Sequence, residues 1–234
     1  MSAEEWKYSD TLESISNKKM RLYLNSVDGQ ASDAFHSGTI DSALPSTAQP
    51  DEYVYDPLDT RRADLQREEV KDYLTDQRYA LNLFGNGLVY HSQPFEVDTE
   101  ITGYLELALW MALDVPDTDF QASVSEILSN GKHISLTDDV LRARYRESLR
   151  QEKLIVPGEI NRYEFDGFTF FSRRIATNSR LRLVISSPNS IYIQKNYNSG
   201  GTIAEESGRN ARVAHVTLYH DKDHPSCLEI PVAK

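Results

Sequence analysis

Residues 104–111 alternate strictly, with Leu105, Leu107, Leu109 and Met111 on one side and Tyr104, Glu106, Ala108 and Trp110 on the other. A helix returns to the same face every 3.6 residues, so this period-2 run specifies a strand with one strongly apolar face. The same patterning recurs through residues 103–149. Residues 114–119 (DVPDTD) interrupt it, because Pro116 lacks a backbone N–H and Asp117 and Asp119 favour side-chain-capped turns. Residues 120–128 resume the alternation. Asn130-Gly131 is a hairpin signal, both residues tolerating the positive φ of a tight primed turn. A strand is expected over 133–136, then a turn at Thr137-Asp138-Asp139. Beyond it, Leu141, Ala143 and Tyr145 alternate with Arg142, Arg144 and Arg146, which favours a strand with a three-arginine face over a capped helix.

The rest of the chain repeats this grammar. Strands are expected at residues 20–25 (MRLYLN) and 51–57 (DEYVYDP), and 88–95 leads into the central stretch. Residues 163–171 (YEFDGFTFF), 181–187 (LRLVISS), 211–219 (ARVAHVTLY) and 228–232 (LEIPV) follow in the same style. Residues 30–49 read as a loop-dominated crossing. The convincing helix spans 60–77 (TRRADLQREEVKDYLTDQ), with Leu65, Val70 and Leu74 on one side and charges elsewhere, as in a surface helix over a sheet. Many short strands with one or two surface helices imply an all-β jelly-roll sandwich, in a fold of 234 residues that buries an ample core without staples.

Composition excludes several functions. With 36 acidic and 25 basic residues, the net charge of −11 opposes a polyanion, so no nucleic acid is expected as a partner. No apolar run approaches the ~20 residues of a membrane span, and the first residues (MSAEEWKYSD) are acidic where a signal peptide is basic and then apolar. A soluble, cytoplasmic protein with no membrane partner is the expectation; self-association into a homo-oligomer stays open. The single cysteine, Cys227, rules out an intramolecular disulfide framework.

Catalytic signals are missing. No G-x-S-x-G elbow, H-E-x-x-H, P-loop or G-x-G-x-x-G occurs. The densest titratable cluster is His220, Asp221, Asp223 and His224, but Pro225 places it in a turn, so solvation and local capping outweigh metal binding. Asp117 and Asp119 read as turn caps and not as a calcium or acid/base pair, since few other oxygen donors lie nearby in sequence. Phe168, Phe170 and Phe171 read as core, whereas Tyr192 or Tyr197 in the late loop is the type of residue that stacks on a ligand. No cofactor and no metal is expected.

Seven segments carry a resemblance: residues 53–57 (YVYDP), 87–92 (GLVYHS), 116–120 (PDTDF), 136–138 (LTD), 141–149 (LRARYRESL), 157–159 (PGE) and 224–226 (HPS). In order and spacing the chain resembles the C-terminal jelly-roll domain of the CocE/NonD hydrolases, the group of cocaine esterases and X-Pro dipeptidyl-peptidases. This domain has a galactose-binding-like fold. In such enzymes a serine, an aspartate and a histidine on a separate α/β-hydrolase domain cleave an ester or a peptide bond after proline, and the jelly roll walls the substrate cleft. The resemblance therefore implies a catalytically silent domain that takes an α/β-hydrolase domain as partner. Residues 1–20 are then a lead-in from that domain and residues 21–234 the jelly roll. An apolar Leu-Phe pair borders the acyl pocket in relatives, which implies a pocket-wall role for Leu83 and Phe84. The charged segment 60–77 departs from the family pattern just before that pair. The alternative is a free-standing carbohydrate- or ligand-binding jelly-roll module, since one scaffold hosts unrelated functions.

Overall fold

The computed structural model describes residues 6–16, 18–27, 29–46, 49–65, 77–78 and 80–233. A short helix, α1 (Leu12–Ile15), precedes strands β1 (Lys18–Asn25), β2 (Gly38–Asp41) and β3 (Asp51–Tyr55). Helix α2 (Arg61–Leu65) leads to β4 (Gly87–Ser92), β5 (Thr99–Gly103), β6 (Glu106–Leu113), β7 (Asp119–Ile127) and β8 (His133–Arg142). The last strands are β9 (Asn161–Phe165), β10 (Phe171–Ile175), β11 (Arg180–Ser186), β12 (Ala214–Tyr219) and β13 (Cys227–Val232). Among the described residues no helix is long and apolar enough to cross a membrane.

The hydrogen-bonded path runs β3-β12-β6-β13-β1-β2-β4-β11-β7-β8, with β9 along β6 and β10 paired to β5. The β2–β4 pair is parallel, and the other pairings among the described residues are antiparallel. This path closes on itself. Phe120 of β7 meets Tyr163 of β9 edge to face, with centroids 5.1 Å apart. Tyr53 and Tyr55 of β3 place their hydroxyls on Ser187 Oγ and Pro188 O, just beyond β11. The two halves of the path are thus the layers of an all-β sandwich, filled by Leu24, Ile40, Tyr55, Leu88, Tyr90, Leu107, Phe120, Tyr163, Phe165 and Phe168.

Strand β6 obeys its pattern: Leu107, Leu109 and Met111 are buried while Glu106 is exposed and Trp110 half-buried. Strands β4 and β11 are buried along nearly their whole length. Their apolar runs belong to the centre of a layer whose outer side is also covered. Close approach there requires glycine. A Cβ on Gly38, where β2 crosses β4, would stand 2.4 Å from Tyr90 Cδ1 and 2.7 Å from Asn25 O. Gly38→Ala therefore destabilises the domain by about 1–3 kcal/mol. Urea unfolding measures this, and an unchanged midpoint refutes the packing described.

Several expectations are corrected. The expected turn at residues 137–139 is strand: β8 continues through it with a bulge, Val124 pairing with Thr137 and Ser125 with Ser135, so Leu136 is the extra residue. Thr137 Oγ1 donates to Thr169 O and Asp139 accepts from Gly167 N, so the neighbouring loop supplies the partners that hold this edge straight. The three-arginine strand ends at Arg142, and Ala143–Tyr145 form a 3-10 turn. The aromatic run expected over 163–171 divides into β9 and β10, with Phe168 buried between them and Phe170 partly exposed. The loop-dominated crossing contains β2, and a capped helical turn, α1, occupies part of the lead-in. Of the helix expected over 60–77, α2 is its described start; residues 66–76 lie outside the described residues.

Candidate docking face

One end of the sandwich collects the tips of β3, β6, β8, β9 and β12, together with residues 187–213. Beneath it lies a set of buried charges. Arg144, with only 5% of its side chain exposed, donates from Nε to Asp117 Oδ2 at 2.7 Å, and its backbone N–H donates to Asp117 Oδ1 at 2.9 Å. Arg142 grips Asp119 with two bonds, Nε to Oδ1 at 2.8 Å and Nη2 to Oδ2 at 3.0 Å. Asn196 joins the pairs, its Nδ2 donating to Asp117 Oδ2 and Asp119 Oδ1 at 2.8 Å each. Burial pushes the Asp117 carboxyl above the ordinary carboxylate range, against the pull of Asn196 and Arg144. The pair with Asp119 raises the Arg142 guanidinium against its own burial.

Asp117 and Asp119 are therefore not turn caps. They are long-range anchors, and the arginines expected to share one face diverge. Arg144 turns inward and also donates to Glu152 Oε2 and Gly201 O. Arg146 reaches Asn161 Oδ1 and Lys153 O. These bonds fasten two long irregular segments to the sheet ends, helped by Ile155 N to Pro116 O, Gly158 N to Leu113 O and Asn198 Nδ2 to Arg212 O.

Over this support exposed apolar side chains stand among charged ones such as Arg150, Glu152, Lys153 and Glu159. Leu149 (84% exposed), Tyr192 (79%), Leu58, Leu154, Val156, Ile160, Ile191 and Val213 all face outward. Leu154 lies beside Pro116 and Gly200, and Leu58 beside Gly208, so segments distant in sequence meet on this end. Tyr197 is half-buried with Lys195 Nζ 5.9 Å above its ring, which leaves Tyr192 as the fully presented tyrosine.

Leu83 and Phe84 adjoin this end. They occupy a turn between α2 and β4 in which Asn82 takes φ 52° and Gly85 φ 70°. Leu83 is 56% exposed and Phe84 is half-buried, with the Arg61 guanidinium 5.0 Å above its ring centroid. Ala34 N donates to Leu81 O, which sets exposed Phe35 next to the turn. Asn189 Nδ2 donates to Asp59 O, linking the α2 lead-in to the loop that carries Ile191 and Tyr192.

The titratable cluster at residues 220–224 splits. His224 stays in the turn, its ring against Trp110 and Tyr219 and its Nδ1 near Asp221. His220 turns inward to Asp51 and Ser26, and the Tyr90 hydroxyl donates to the same Asp51 Oδ2 at 2.6 Å. This Ser-His-Asp grouping is not a triad. His220 Nε2 serves both Asp51 Oδ2 (2.9 Å) and Ser26 Oγ (3.2 Å), and Ser26 Oγ donates directly to Asp51 Oδ1 at 2.8 Å. A triad needs the serine and the acid on opposite ring nitrogens, and here Nδ1 is buried without a hydrogen-bond partner. Burial pushes the Asp51 carboxyl up, but bonds from His220, Tyr90, Ala31 N and Ser26 outweigh it and hold it below the ordinary range. The group locks β3, β4 and the turn after β12 together. A readable sign was present: Asp51 shares the inward side of β3 with Tyr53 and Tyr55. Among the described residues no group of His, Cys, Asp or Glu is placed to hold a metal ion. Burial raises the Cys227 thiol.

Comparison with known proteins gives the fold a context. A family described as the X-Pro dipeptidyl-peptidase C-terminal non-catalytic domain matches residues 1–229. The cocaine esterase of Rhodococcus sp. (strain MB1 Bresler) is 27% identical over 237 residues, covering 100% of this chain and 41% of that protein. An aminopeptidase from the marine sediment archaeon Thaumarchaeota archaeon superposes with a TM-score of 0.77 at 20% identity, over 93% of this chain and 37% of its own. A CocE/NonD family hydrolase from Staphylococcus aureus gives 0.61 at 18% identity, over 93% and 36%. The chain spans about two fifths of the length of the curated relative it matches.

Proposed function

The chain belongs to the family of X-Pro dipeptidyl-peptidase C-terminal non-catalytic domains, and on that premise we propose that it serves a serine hydrolase of the dipeptidyl-peptidase or acyl-esterase type. The end that carries these exposed apolar side chains packs on an α/β-hydrolase domain that bears the triad, with residues 1–20 as the lead-in between them. Leu83 and Phe84, at the margin of that end, wall the substrate cleft.

The carrying observation is the coincidence of exposed apolar side chains with a buried ionic support on one end of the sandwich. An apolar surface rimmed by polar groups and held rigid is what a docking partner covers. The free-standing binding module is less well supported. A ligand-stacking site needs aromatic rings around a polar cleft, and one polar cleft among the described residues, between Lys7, Asp98, Thr99, Glu100 and Arg174, has no ring in its lining.

Kinetics of the full-length hydrolase test the reading. Leu83→Ser and Phe84→Ser raise KM for p-nitrophenyl esters about tenfold or more, because each removes several methylene-sized contacts from an apolar wall. An unchanged KM in both variants rejects the wall role.

A further inference from the structure

We infer that Arg61 is a positioning residue for the Phe84 ring, acting as a clamp that Asp59 holds in place. The inference deepens the pocket-wall reading of Phe84 and rests on it for its kinetic consequence. The backbone of the 81–84 turn is well anchored, because Asn82 Nδ2 donates to Ser32 O at 2.7 Å and to Gly87 O at 2.8 Å. The Phe84 side chain belongs to that turn, is half-buried, and has the Arg61 guanidinium over its face.

Arg61 is held in turn. Its Nε donates to Asp59 Oδ1 at 2.9 Å and Oδ2 at 3.1 Å, its Nη2 donates to Oδ2 at 2.6 Å, and its backbone N–H donates to Oδ1 at 3.1 Å. A planar guanidinium gripped through this edge keeps its flat face free to lie on an aromatic ring. Asp59 is itself fixed: its N–H donates to Asp56 O at 3.0 Å, and buried Asn189 donates to its carbonyl. A chain of contacts therefore runs from the end of β11 to the ring. An exposed Arg–Asp pair contributes little to stability, so its consequence is the ring's orientation.

Two measurements test this. In the chain itself, 4-fluorophenylalanine placed at position 84 gives a broad, shifted 19F line that narrows and moves toward the free amino-acid value on Arg61→Met. The melting temperature stays within about 2 °C of the parent. An unmoved line overturns the clamp. In the full-length hydrolase, Arg61→Met raises KM for p-nitrophenyl esters about two- to fivefold at unchanged kcat, the size expected of an exposed cation–π contact. That rise disappears in a Phe84→Leu background. An equal rise in both backgrounds also overturns the clamp. If the 19F line responds while neither Arg61→Met nor Phe84→Leu alters KM, the clamp stands and the pocket-wall reading fails.

Discussion

Arg144→Met lowers the unfolding free energy by about 3–5 kcal/mol, because it leaves the Asp117 carboxylate buried without its cation. For a domain of this length each kcal/mol moves the melting temperature by about 2–4 °C, so a fall of some ~6–20 °C is expected. The size follows from burial. Asp117 is fully buried and Arg144 nearly so, and the pair is cross-linked to Asn196, Glu152 and Gly201. Arg162→Met provides the contrast: its pair with Glu164 lies on the surface of β9, and its loss costs at most about 1 kcal/mol. The double variant Asp117→Leu/Arg144→Met recovers part of the loss, since an apolar pair needs no charge compensation. Recovery is incomplete because Asp117 also serves the Arg144 amide and Asn196. Urea titrations give all these values. Hydrogen exchange adds a local signature, faster exchange in residues 187–213, which the network ties down. A loss below about 1 kcal/mol for Arg144→Met shows that the charges are solvated and the support beneath the docking face is absent.

The same network marks where the sequence stops being legible. Strands were readable because alternation is a local consequence of the pleat. The turn after β7 was readable in place but not in type: Gly131 takes φ +83° and Leu128 N closes on Lys132 O, but Asn130 is not at positive φ, so this is not the primed turn that the pair signals. Arg144 misled because period-2 reasoning treats arginine as an outward residue, whereas here it points inward to an acid 27 positions away. The partner was in view as PDTDF, and the order of PDTDF and LRARYRESL carried the resemblance. What no periodicity encodes is that the two motifs bond to each other. The histidines at 220 and 224 show the reverse case. Proximity in sequence suggested one cluster, yet the turn before Pro225 sends His220 to Asp51, on a strand 169 positions away, and leaves His224 outside. For Leu83 and Phe84 the resemblance supplied the role. The structure adds the geometry, an anchored turn with an exposed leucine and a capped ring.

Acid weakens this domain through His91, and His91→Gln removes that part of the weakness. His91 and Arg182 are direct partners across β4 and β11. Arg182 Nε can only donate, so His91 Nε2 at 2.8 Å must accept; the ring proton is then on Nδ1 and is donated to Ser37 Oγ, also at 2.8 Å. The bond requires a neutral ring. Burial, and then the charges of Arg182 and Arg180, lower the His91 pKa from 6.5 to about 4. Arg182 feels the same site: burial, and then Arg180, lower it to about 10, and its other donors reach Gln77 Oε1 and Ala80 O. The sign follows from proton uptake. Between about pH 6.5 and 4 the unfolded chain binds a proton at His91 that the folded chain refuses. Stability from the neutral ring is thus complete above about 6.5, is lost as the pH falls toward about 4, and declines no further below that. With ~1.36 kcal/mol per pKa unit, the loss is about 3 kcal/mol. Gln retains an acceptor for Arg182 without a titratable proton, so between pH 7 and pH 4.5 its urea midpoint falls less than that of the parent. Carboxylates titrating in the same range affect both proteins alike, and the difference in slope isolates His91. Parallel slopes show that Arg182 does not hold His91 neutral, and that this buried cation is accommodated by Gln77 and Ala80 alone.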